Sequence, residues 1–316
     1  MLTSRIAISG FGAVGRATAH LLLARRDRYR TVFGVDVRLV AVCGSRSGAF
    51  DPAGLAPDRF DILEAGLSGP DFIASSGADV LIEAGPSDFR TGGPGIDYIR
   101  SALTGGVDTI VISKGALVCD GRALRDRARV SGAMLKISGA TAAALPTIDL
   151  LHYNLAGCTT LRVDGILNAT SNYLLDAMMI RGVGLDEALA EAQAGGFAEP
   201  DPRNDIEGWD TACKLLILAN FGLGADLMMT DLTVEGIQSV TSGHIAQWRA
   251  DGLAPRLVGS VIRDGDALRA SVGIRTYPPN DPFAHIAGKN KAIRIETDAM
   301  GEIVAIGGGS GPIATA

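Results

Sequence analysis

Short apolar runs alternate with amphipathic segments along the first part of the chain. Four runs have the length and the Val, Ile, Leu and Ala content of buried strands, at residues 5–9, 37–42, 78–83 and 109–112. Segments with a helical spacing of apolar residues separate them, as at 95–103. Strands that alternate with helices predict a mostly parallel, doubly wound α/β sheet of the Rossmann type.

The pattern changes after residue 136. A turn of small residues leads into a helix, a strand at 161–167 precedes an apolar helix, and a short amphipathic helix covers 185–194. Strand-like runs such as 257–261 and 292–295 follow. These elements predict a second α/β domain. The predicted divisions of the chain are 1–136, 137–295 and 296–316, the last being a return segment to the first domain.

The first strand is followed at once by a glycine-rich turn and a helix. The turn reads Gly10-Phe11-Gly12-Ala13-Val14-Gly15. A G-x-G-x-x-G sequence in this position is typical of dinucleotide binding. The glycines permit a tight turn and a close approach of backbone N–H groups to a pyrophosphate at the helix N-terminus.

The loops that follow the other predicted strands are also built from small residues. The carboxyl ends of the strands are where an open α/β sheet places its ligand. We therefore expect further cofactor contacts from these loops and from the glycine-rich loop near the end of the chain. The residues concerned are Gly85, Pro86, Ser113, Lys114 and Gly311.

The residues after the second strand bear on the choice of dinucleotide. An acidic residue there would bind the ribose hydroxyls of NAD, but the chain reads Cys43-Gly44-Ser45-Arg46-Ser47. Arg46, with Ser45 beside it, can pair with the 2′-phosphate of NADP. The alternative is a solvated loop arginine. The sequence favours NADP and leaves NAD open.

Composition narrows the class of protein. The net charge of −6, without a long basic run, argues against nucleic-acid and anionic-membrane partners. The 4 cysteines and 4 histidines are scattered, which argues against disulfides and a structural zinc site. The N-terminus has no signal-peptide pattern, and no apolar run is long enough to span a bilayer. We expect a cytoplasmic protein with a small-molecule substrate.

One segment concentrates acidic residues before an apolar helix: EPDPRNDIEGWDTACK, residues 199–214. If the helix begins at Glu207, then Glu207, Asp210 and Lys214 share one face. The ordinary interpretation is a surface salt bridge between Asp210 and Lys214, worth a few tenths of a kcal/mol. The apolar residues after Lys214 argue against it, as do the two prolines that stiffen the acidic loop.

A rigid cluster of carboxylates suits a cation or a substrate ammonium group. A lysine among them, held by Asp210, could exchange a proton with a substrate hydroxyl group. Beside a nicotinamide cofactor, this combination indicates alcohol–carbonyl interconversion, in which the lysine also stabilises the developing alkoxide.

Two motifs closely resemble those of homoserine dehydrogenases. One is Gly196-Phe197-Ala198-Glu199-Pro200-Asp201-Pro202, with the later Asp205, Glu207, Asp210 and Lys214; the other is Gly165-Ile166-Leu167-Asn168-Ala169-Thr170-Ser171-Asn172-Tyr173. The Lys114-Gly115 turn is similar as well. Together with the glycine-rich turn at the front and the glycine loop at the end, the resemblance covers nearly the whole chain.

The resemblance implies reversible conversion of aspartate 4-semialdehyde to homoserine with NAD(P)H, on the route to threonine and methionine. It makes Lys214 the acid/base, oriented by Asp210, with Lys114 as a second cationic candidate between cofactor and substrate. It implies a substrate site with an acid for the ammonium group and Thr170 near the carboxylate. The residues implied for that site are Glu199, Asp205, Glu207, Thr170 and Asn168. The family also typically forms homodimers through its second domain.

The chain departs from the family pattern at several positions. Ser113 replaces a usual asparagine, and Ala169 a usual glycine at the substrate pocket. Ser138 stands where glutamate is common, and Ala142-Ala143-Ala144 where a glycine-rich turn is common. The resemblance implies a monovalent cation held by backbone carbonyls of that turn, at Ser138, Thr141, Ala143 and Leu145. The substitutions keep a path of backbone carbonyls at this turn.

Larger members of the family carry a C-terminal regulatory domain. We expect none here, and hence no threonine inhibition through it, because the sequence ends at Ala316. Two alternatives to the leading hypothesis stay open. One is a related dehydrogenase of another small hydroxy or oxo amino acid, and the other is a nucleotide-binding regulatory protein without catalysis.

Overall fold

The computed structural model describes residues 1–137, 139–307, 309 and 311–316. Its backbone divides into two compact units. The first unit comprises 1–143 and 310–316, and the second comprises 144–309. The first boundary thus lies beyond the predicted one at 136, and residues 296–309 belong to the second unit rather than to the return segment. The reason is that the last strand pairs within the second sheet.

The first unit is built on a seven-stranded sheet. Its strands are β1 (Leu2–Ser9), β2 (Val35–Cys43), β3 (Ser47–Phe50), β4 (Glu64–Ala65), β5 (Val80–Glu83), β6 (Asp108–Val111) and β7 (Leu135–Lys136). Their order is β4-β3-β2-β1-β5-β6-β7. The five strands from β2 to β7 in this order are parallel, whereas β3 and β4 form an antiparallel edge that the sequence did not predict. The predicted doubly wound sheet is confirmed.

Six described helices follow the strands of this sheet along the chain. They are α1 (Ala13–Ala24), α2 (Arg26–Phe33), α3 (Pro70–Ser75), α4 (Gly95–Thr104), α5 (Gly115–Ser131) and α6 (Gly139–Ala142). The second half of β1 and most of β2 are buried and largely apolar, as expected of central strands that are covered on both faces. The chain leaves β1 toward β2 on one side and later adds β5 on the other. This reversal creates a switch point at the carboxyl end of β1.

The second unit contains a six-stranded sheet in the order β13-β12-β8-β10-β11-β9. Its strands are β8 (Thr160–Ile166), β9 (Thr233–Val234), β10 (Ala254–Asp264), β11 (Ala267–Tyr277), β12 (Lys291–Thr297) and β13 (Gly301–Gly307). All neighbours are antiparallel except β9 and β11. Its helices are α7 (Ala169–Arg181), α8 (Leu185–Ala194), α9 (Arg203–Ile206), α10 (Trp209–Ile217) and α11 (Ser242–Ala250).

The core of the second unit joins the helices to the sheet. Leu174 and Met178 of α7 and Leu215 of α10 pack with Leu257 and Val261 of β10, and all five are buried. This packing holds α7 and α10 against the sheet. The last helix, α12 (Pro312–Thr315), returns to the first unit and contacts α1.

One predicted element is wrong. The sequence suggested a continuous helix from Glu207, but Gly208 adopts φ +86° and separates α9 from α10. Glycine tolerates this left-handed conformation, which a helix interior does not contain. Glu207 therefore does not extend the face of α10 that carries Asp210 and Lys214.

Candidate active site

Four side chains from three separate segments of the chain meet where β8 gives way to α7. The Asn168 amide nitrogen Nδ2 donates to Asp205 Oδ1 over 2.6 Å and to Asp210 Oδ2 over 2.8 Å. Lys214 Nζ donates to the same Asp210 oxygen over 2.5 Å and to the Leu167 carbonyl over 2.8 Å. The result is one continuous hydrogen-bonded cluster of an amide, two carboxylates and an ammonium group.

Asn168 occupies its position because it begins α7. It has extended backbone angles, and its Oδ1 accepts a hydrogen bond from the Ser171 N–H over 2.8 Å, as an N-cap residue does. Its side chain is 4% exposed. The Oδ1 atom of Asn168 caps the helix, and the two N–H bonds of its Nδ2 atom hold the carboxylates of Asp205 and Asp210. The described contacts therefore make Asn168 a residue that positions Asp205 and Asp210.

Lys214 is placed by the packing of α10. The helix buries Leu215, Leu216 and Ile217, so the turn that carries Lys214 lies against the core. The Lys214 side chain is 13% exposed and that of Asp210 is 15% exposed. An exposed ion pair contributes little, but at this burial the charges are screened less. Among the described contacts, two of the three N–H bonds of the ammonium group are directed at Asp210 and Leu167, so the third can donate to a further acceptor.

The remaining predicted substrate residues lie outside this cluster. Glu199 is exposed, and its backbone carbonyl accepts a hydrogen bond from Gln193 Nε2 over 2.9 Å. Glu207 is partly buried and accepts from the Trp209 indole N–H over 3.1 Å. Thr170 is partly buried in the first turn of α7, a turn without acidic residues. A substrate carboxylate at that helix end is compatible with the helix dipole.

In the first unit, the glycine-rich turn has the form that the sequence predicted. Gly10 adopts φ +84°, and a Cβ atom there would lie 2.2 Å from the Gly85 backbone nitrogen. A Cβ at Gly15 would lie 2.3 Å from the Gly10 carbonyl, whereas a Cβ at Gly12 would meet nothing within 4 Å. Gly12 caps α1 without a side-chain hydrogen bond, and the first turn, which begins Ala13-Val14, has no acidic residue. This open helix N-terminus fits a pyrophosphate.

The roles of Gly10 in folding and of Gly12 in dinucleotide binding can be distinguished by experiment. We expect Gly10→Ala to lower the thermal midpoint of unfolding, because its Cβ would collide with backbone in a left-handed conformation. Gly12→Ala should keep the midpoint within about 2 °C and weaken dinucleotide binding about tenfold or more, because its Cβ projects into open space. Calorimetry and fluorescence titration measure both. Equal midpoints for the two variants would contradict this assignment.

The predicted selectivity loop forms the tight turn between β2 and β3. The Gly44 N–H donates to the Ser47 carbonyl over 2.8 Å, and the Ser45 and Arg46 side chains are exposed at the tip. The Gly10 and Phe11 N–H groups both donate to the Cys43 carbonyl, at 2.9 and 3.1 Å. The turn is thereby tied to the glycine-rich turn in the same unit.

Glu83, which the sequence reasoning missed, lies at the end of β5. It is 1% exposed; its Oε1 accepts from the Gly85 N–H over 2.7 Å and its Oε2 from the Ser113 hydroxyl over 2.5 Å. Burial raises the pKa of Glu83, and the hydrogen bonds from Ser113 and Gly85 oppose that rise. An acidic residue that ends an otherwise apolar strand was the available signal.

The raised pKa of Glu83 predicts how stability depends on pH. Folded Glu83 binds its proton more tightly than unfolded Glu83, so its contribution is complete below the ordinary value of 4.5 and is lost as the pH rises through the higher folded pKa. Glu83→Gln has the shape of the protonated acid and does not titrate. We expect the unfolding free energy of this variant to gain on the wild type as the pH rises above 4.5, in urea titrations. Parallel pH curves would contradict it.

The described residues of the predicted cation site are divided between the two units. Ser138 lies outside the described residues, and Leu145 belongs to the second unit while Thr141 and Ala143 belong to the first. Ala143 adopts φ +55°, a conformation in which glycine carries no strain, in keeping with the glycine usual there. Across the described ranges, no group of three or more His, Cys, Asp or Glu side chains is suited to a metal. Nor does any described helix have the length and apolarity to cross a bilayer.

Comparison with known proteins agrees with this geometry. The family model described as homoserine dehydrogenase matches residues 146–316, and that of the homoserine dehydrogenase NAD-binding domain matches 10–137. Homoserine dehydrogenase of Methanocaldococcus jannaschii is 32% identical over 329 residues, covering 98% of this chain and 95% of the relative.

Two further relatives span both units. The NAD(+)-dependent homoserine dehydrogenase of Pseudomonas canavaninivorans is 31% identical, over 100% of this chain and 94% of its own length. The crystal structure of homoserine dehydrogenase from Thermoplasma acidophilum has a TM-score of 0.83 at 25% identity, covering 99% of this chain and 95% of that one. The chain therefore belongs to the homoserine dehydrogenase family, and is an oxidoreductase of amino-acid biosynthesis with an NAD(P)-binding domain.

Proposed function

We propose that the chain interconverts L-homoserine and L-aspartate 4-semialdehyde, with Lys214 as the proton-transferring residue. The observation that carries this assignment is the position of Lys214 Nζ, between a shared carboxylate oxygen of Asp210 and the Leu167 carbonyl. Two fixed acceptors orient the ammonium group and leave one N–H for the substrate. Such an arrangement is what general acid–base catalysis needs.

The proton moves with the direction of the reaction. In reduction, the Lys214 ammonium gives its proton to the carbonyl oxygen as that oxygen becomes the hydroxyl group of homoserine. In oxidation, the neutral amine takes the proton back. The nicotinamide cofactor, when bound, accepts or donates the hydride. Asp210 keeps the amine in place in both directions.

Substrate recognition is assigned to the surroundings of the start of α7. We propose that the substrate ammonium group meets carboxylates of the acidic segment, from Glu199, Asp205 and Glu207, and that its carboxylate lies near Thr170. The acid-free first turn of α7 supports the second contact. In the first unit, Lys114 is proposed as a second cationic group beside the nicotinamide.

The direct test is cofactor reduction on addition of homoserine, followed at 340 nm with NADP and with NAD in separate assays. We expect turnover that requires both homoserine and a dinucleotide. A folded protein that binds dinucleotide but oxidises homoserine with neither NADP nor NAD would refute the assignment. Turnover only of other small hydroxy amino acids would favour a related dehydrogenase.

Cofactor preference rests on the turn between β2 and β3. We propose that NADP is preferred, because an arginine and a serine are exposed at the tip of this turn, where an acid would bind the NAD ribose. The relative from Pseudomonas canavaninivorans is NAD(+)-dependent, so NAD is the alternative that the assays must include.

Replacement of Arg46 by alanine tests the preference. We expect KM for NADP to rise about tenfold and KM for NAD to change less than twofold, because only NADP carries the phosphate that the guanidinium would bind. Arg28→Ala, an exposed arginine on α2, is the matched control. Equal effects on both dinucleotides would show that Arg46 is a solvated loop residue.

Two further proposals follow from the resemblance. We propose a homodimer formed through the second unit, to be measured by light scattering coupled to gel filtration. We also propose the monovalent cation at the turn 138–145, to be measured as the activity ratio in potassium and in tetramethylammonium buffers. A monomeric mass in the first experiment, or an unchanged rate in the second, would remove the corresponding proposal.

A further inference from the structure

The two cofactor-edge loops of the first unit share one buried carboxyl group. One loop follows β5 and contains Gly85 and Pro86; the other follows β6 and contains Ser113 and Lys114. Glu83 Oε1 accepts from the Gly85 N–H and Oε2 from the Ser113 hydroxyl, at 2.7 and 2.5 Å. Both oxygens of a single side chain thus hold one loop each.

The backbone around Glu83 is shaped to accept it. A Cβ atom at Gly85 would lie 2.7 Å from Glu83 Oε1, and a Cβ at Gly95, the first residue of α4, would lie 2.8 Å from the same oxygen. Both distances are far inside van der Waals contact. The two glycines therefore leave the space that the carboxyl group fills.

A second set of contacts links the same loops. The Lys114 N–H donates to the Ser87 hydroxyl over 2.9 Å. A Cβ at Gly115 would lie 2.5 Å from the Asp88 carbonyl, so the two backbones approach closely there. The backbone at Lys114 is thus held by two hydrogen bonds, one from the Ser113 hydroxyl to Glu83 at the end of β5 and one from its own N–H to Ser87 in the loop after β5.

We propose that Glu83 is a positioning residue, which fixes the position of the Gly85–Pro86 loop relative to the Ser113–Lys114 turn. Part of this inference rests on the proposed function, in which Lys114 acts beside the nicotinamide. The link between the loops also has a consequence that is independent of turnover. The Gly85 loop is a predicted cofactor contact. If its position depends on Glu83, loss of the carboxyl group weakens dinucleotide binding.

The catalytic arm of the test uses Ser113. We expect Ser113→Ala to lower kcat about tenfold, because a shift of Lys114 by a fraction of an ångström is sufficient for such a loss. The kcat is measured at saturating dinucleotide, because Ser113 is itself a predicted cofactor contact, and at a temperature where the variant is folded, because the substitution leaves Glu83 Oε2 without this donor. Ser113→Thr retains the hydroxyl group and should restore kcat to within about twofold.

A double-variant cycle separates positioning from a general structural effect. In the Lys114→Ala background, Ser113→Ala should have no further effect on kcat, because the residue it positions is gone. A full additional tenfold loss there would overturn the proposal, and so would a wild-type kcat for Ser113→Ala.

The binding arm uses Glu83 and needs no substrate. Glu83→Ala should raise the dinucleotide Kd about fivefold in fluorescence titrations, whereas Glu83→Gln, which keeps an acceptor for the Gly85 N–H, should stay near wild type. A folded Glu83→Ala protein with wild-type affinity would overturn the proposal. If Glu83→Ala does not fold, the Ser113 cycle decides. Absence of homoserine turnover in the wild type would refute the proposed function and leave this binding arm intact.

Discussion

Lys214→Met should lower kcat for homoserine oxidation by about 10²- to 10⁴-fold, the range that loss of a general acid–base costs. Methionine fills a similar volume but cannot carry a proton, so the packing of α10 is kept. Dinucleotide Kd should remain within about twofold, because the glycine-rich turn lies in the other unit. Steady-state kinetics and fluorescence titration measure the two quantities.

A second substitution at the same position distinguishes charge from proton transfer. Lys214→Arg keeps a cation beside Asp210, but a guanidinium group does not release its proton in proteins. We therefore expect it to be nearly as inactive as Lys214→Met. Arg269→Met, which removes a cation that is 78% exposed on β11, is the control. Retention of more than half of the wild-type kcat in Lys214→Met would reduce Lys214 to a structural ion pair.

Asn168→Asp should disable the same cluster by a different route. The new carboxylate can still cap α7, since aspartate is as good an N-cap residue as asparagine. It removes the two N–H donors that hold Asp205 and Asp210 at 2.6 and 2.8 Å, and puts a third acid against them. We expect a stability loss of about 2–4 kcal/mol and a fall in kcat of about 100-fold.

The cost in stability and the cost in activity need separate controls. Asn220→Asp changes another buried asparagine, whose side chain pairs with the Leu227 backbone, away from the cluster. It should lose stability and keep kcat. The mechanism would fail if Asn168→Asp had wild-type kcat at a temperature where the protein is folded. Activity and urea unfolding of the two variants at one pH provide the comparison.

Much of the first unit could be predicted from local sequence. Parallel strands covered on both faces must be apolar along their length, and a glycine-rich turn between strand and helix admits few structures. The antiparallel edge of β3 and β4 escaped prediction because these strands have only four and two residues. The pairing of β3 with β2 depends on the turn at Gly44 rather than on any periodicity.

The site was predicted only in part, for a reason of distance along the chain. Asp210 and Lys214 are one helical turn apart, so their pairing follows from the period of the helix. Asn168 reaches Asp210 across 42 positions, a contact made by tertiary packing that spacing cannot reveal. Gly208 shows the opposite limit, since a single left-handed residue removed Glu207 from the predicted face.

The chain enters and leaves the second unit at neighbouring points, since a Cβ atom at Gly307 would lie 3.2 Å from Leu145 Cδ1. The first unit, by contrast, is assembled from two separate stretches of chain. When residues 144–309 are folded, the two ends of this stretch are close together, and the chain connects 1–143 to 310–316 over a short distance. When residues 144–309 are unfolded, the same two parts of the first unit must be brought together against the entropy of a long flexible loop. The stabilities of the two units are thereby linked through the connectivity of the chain itself.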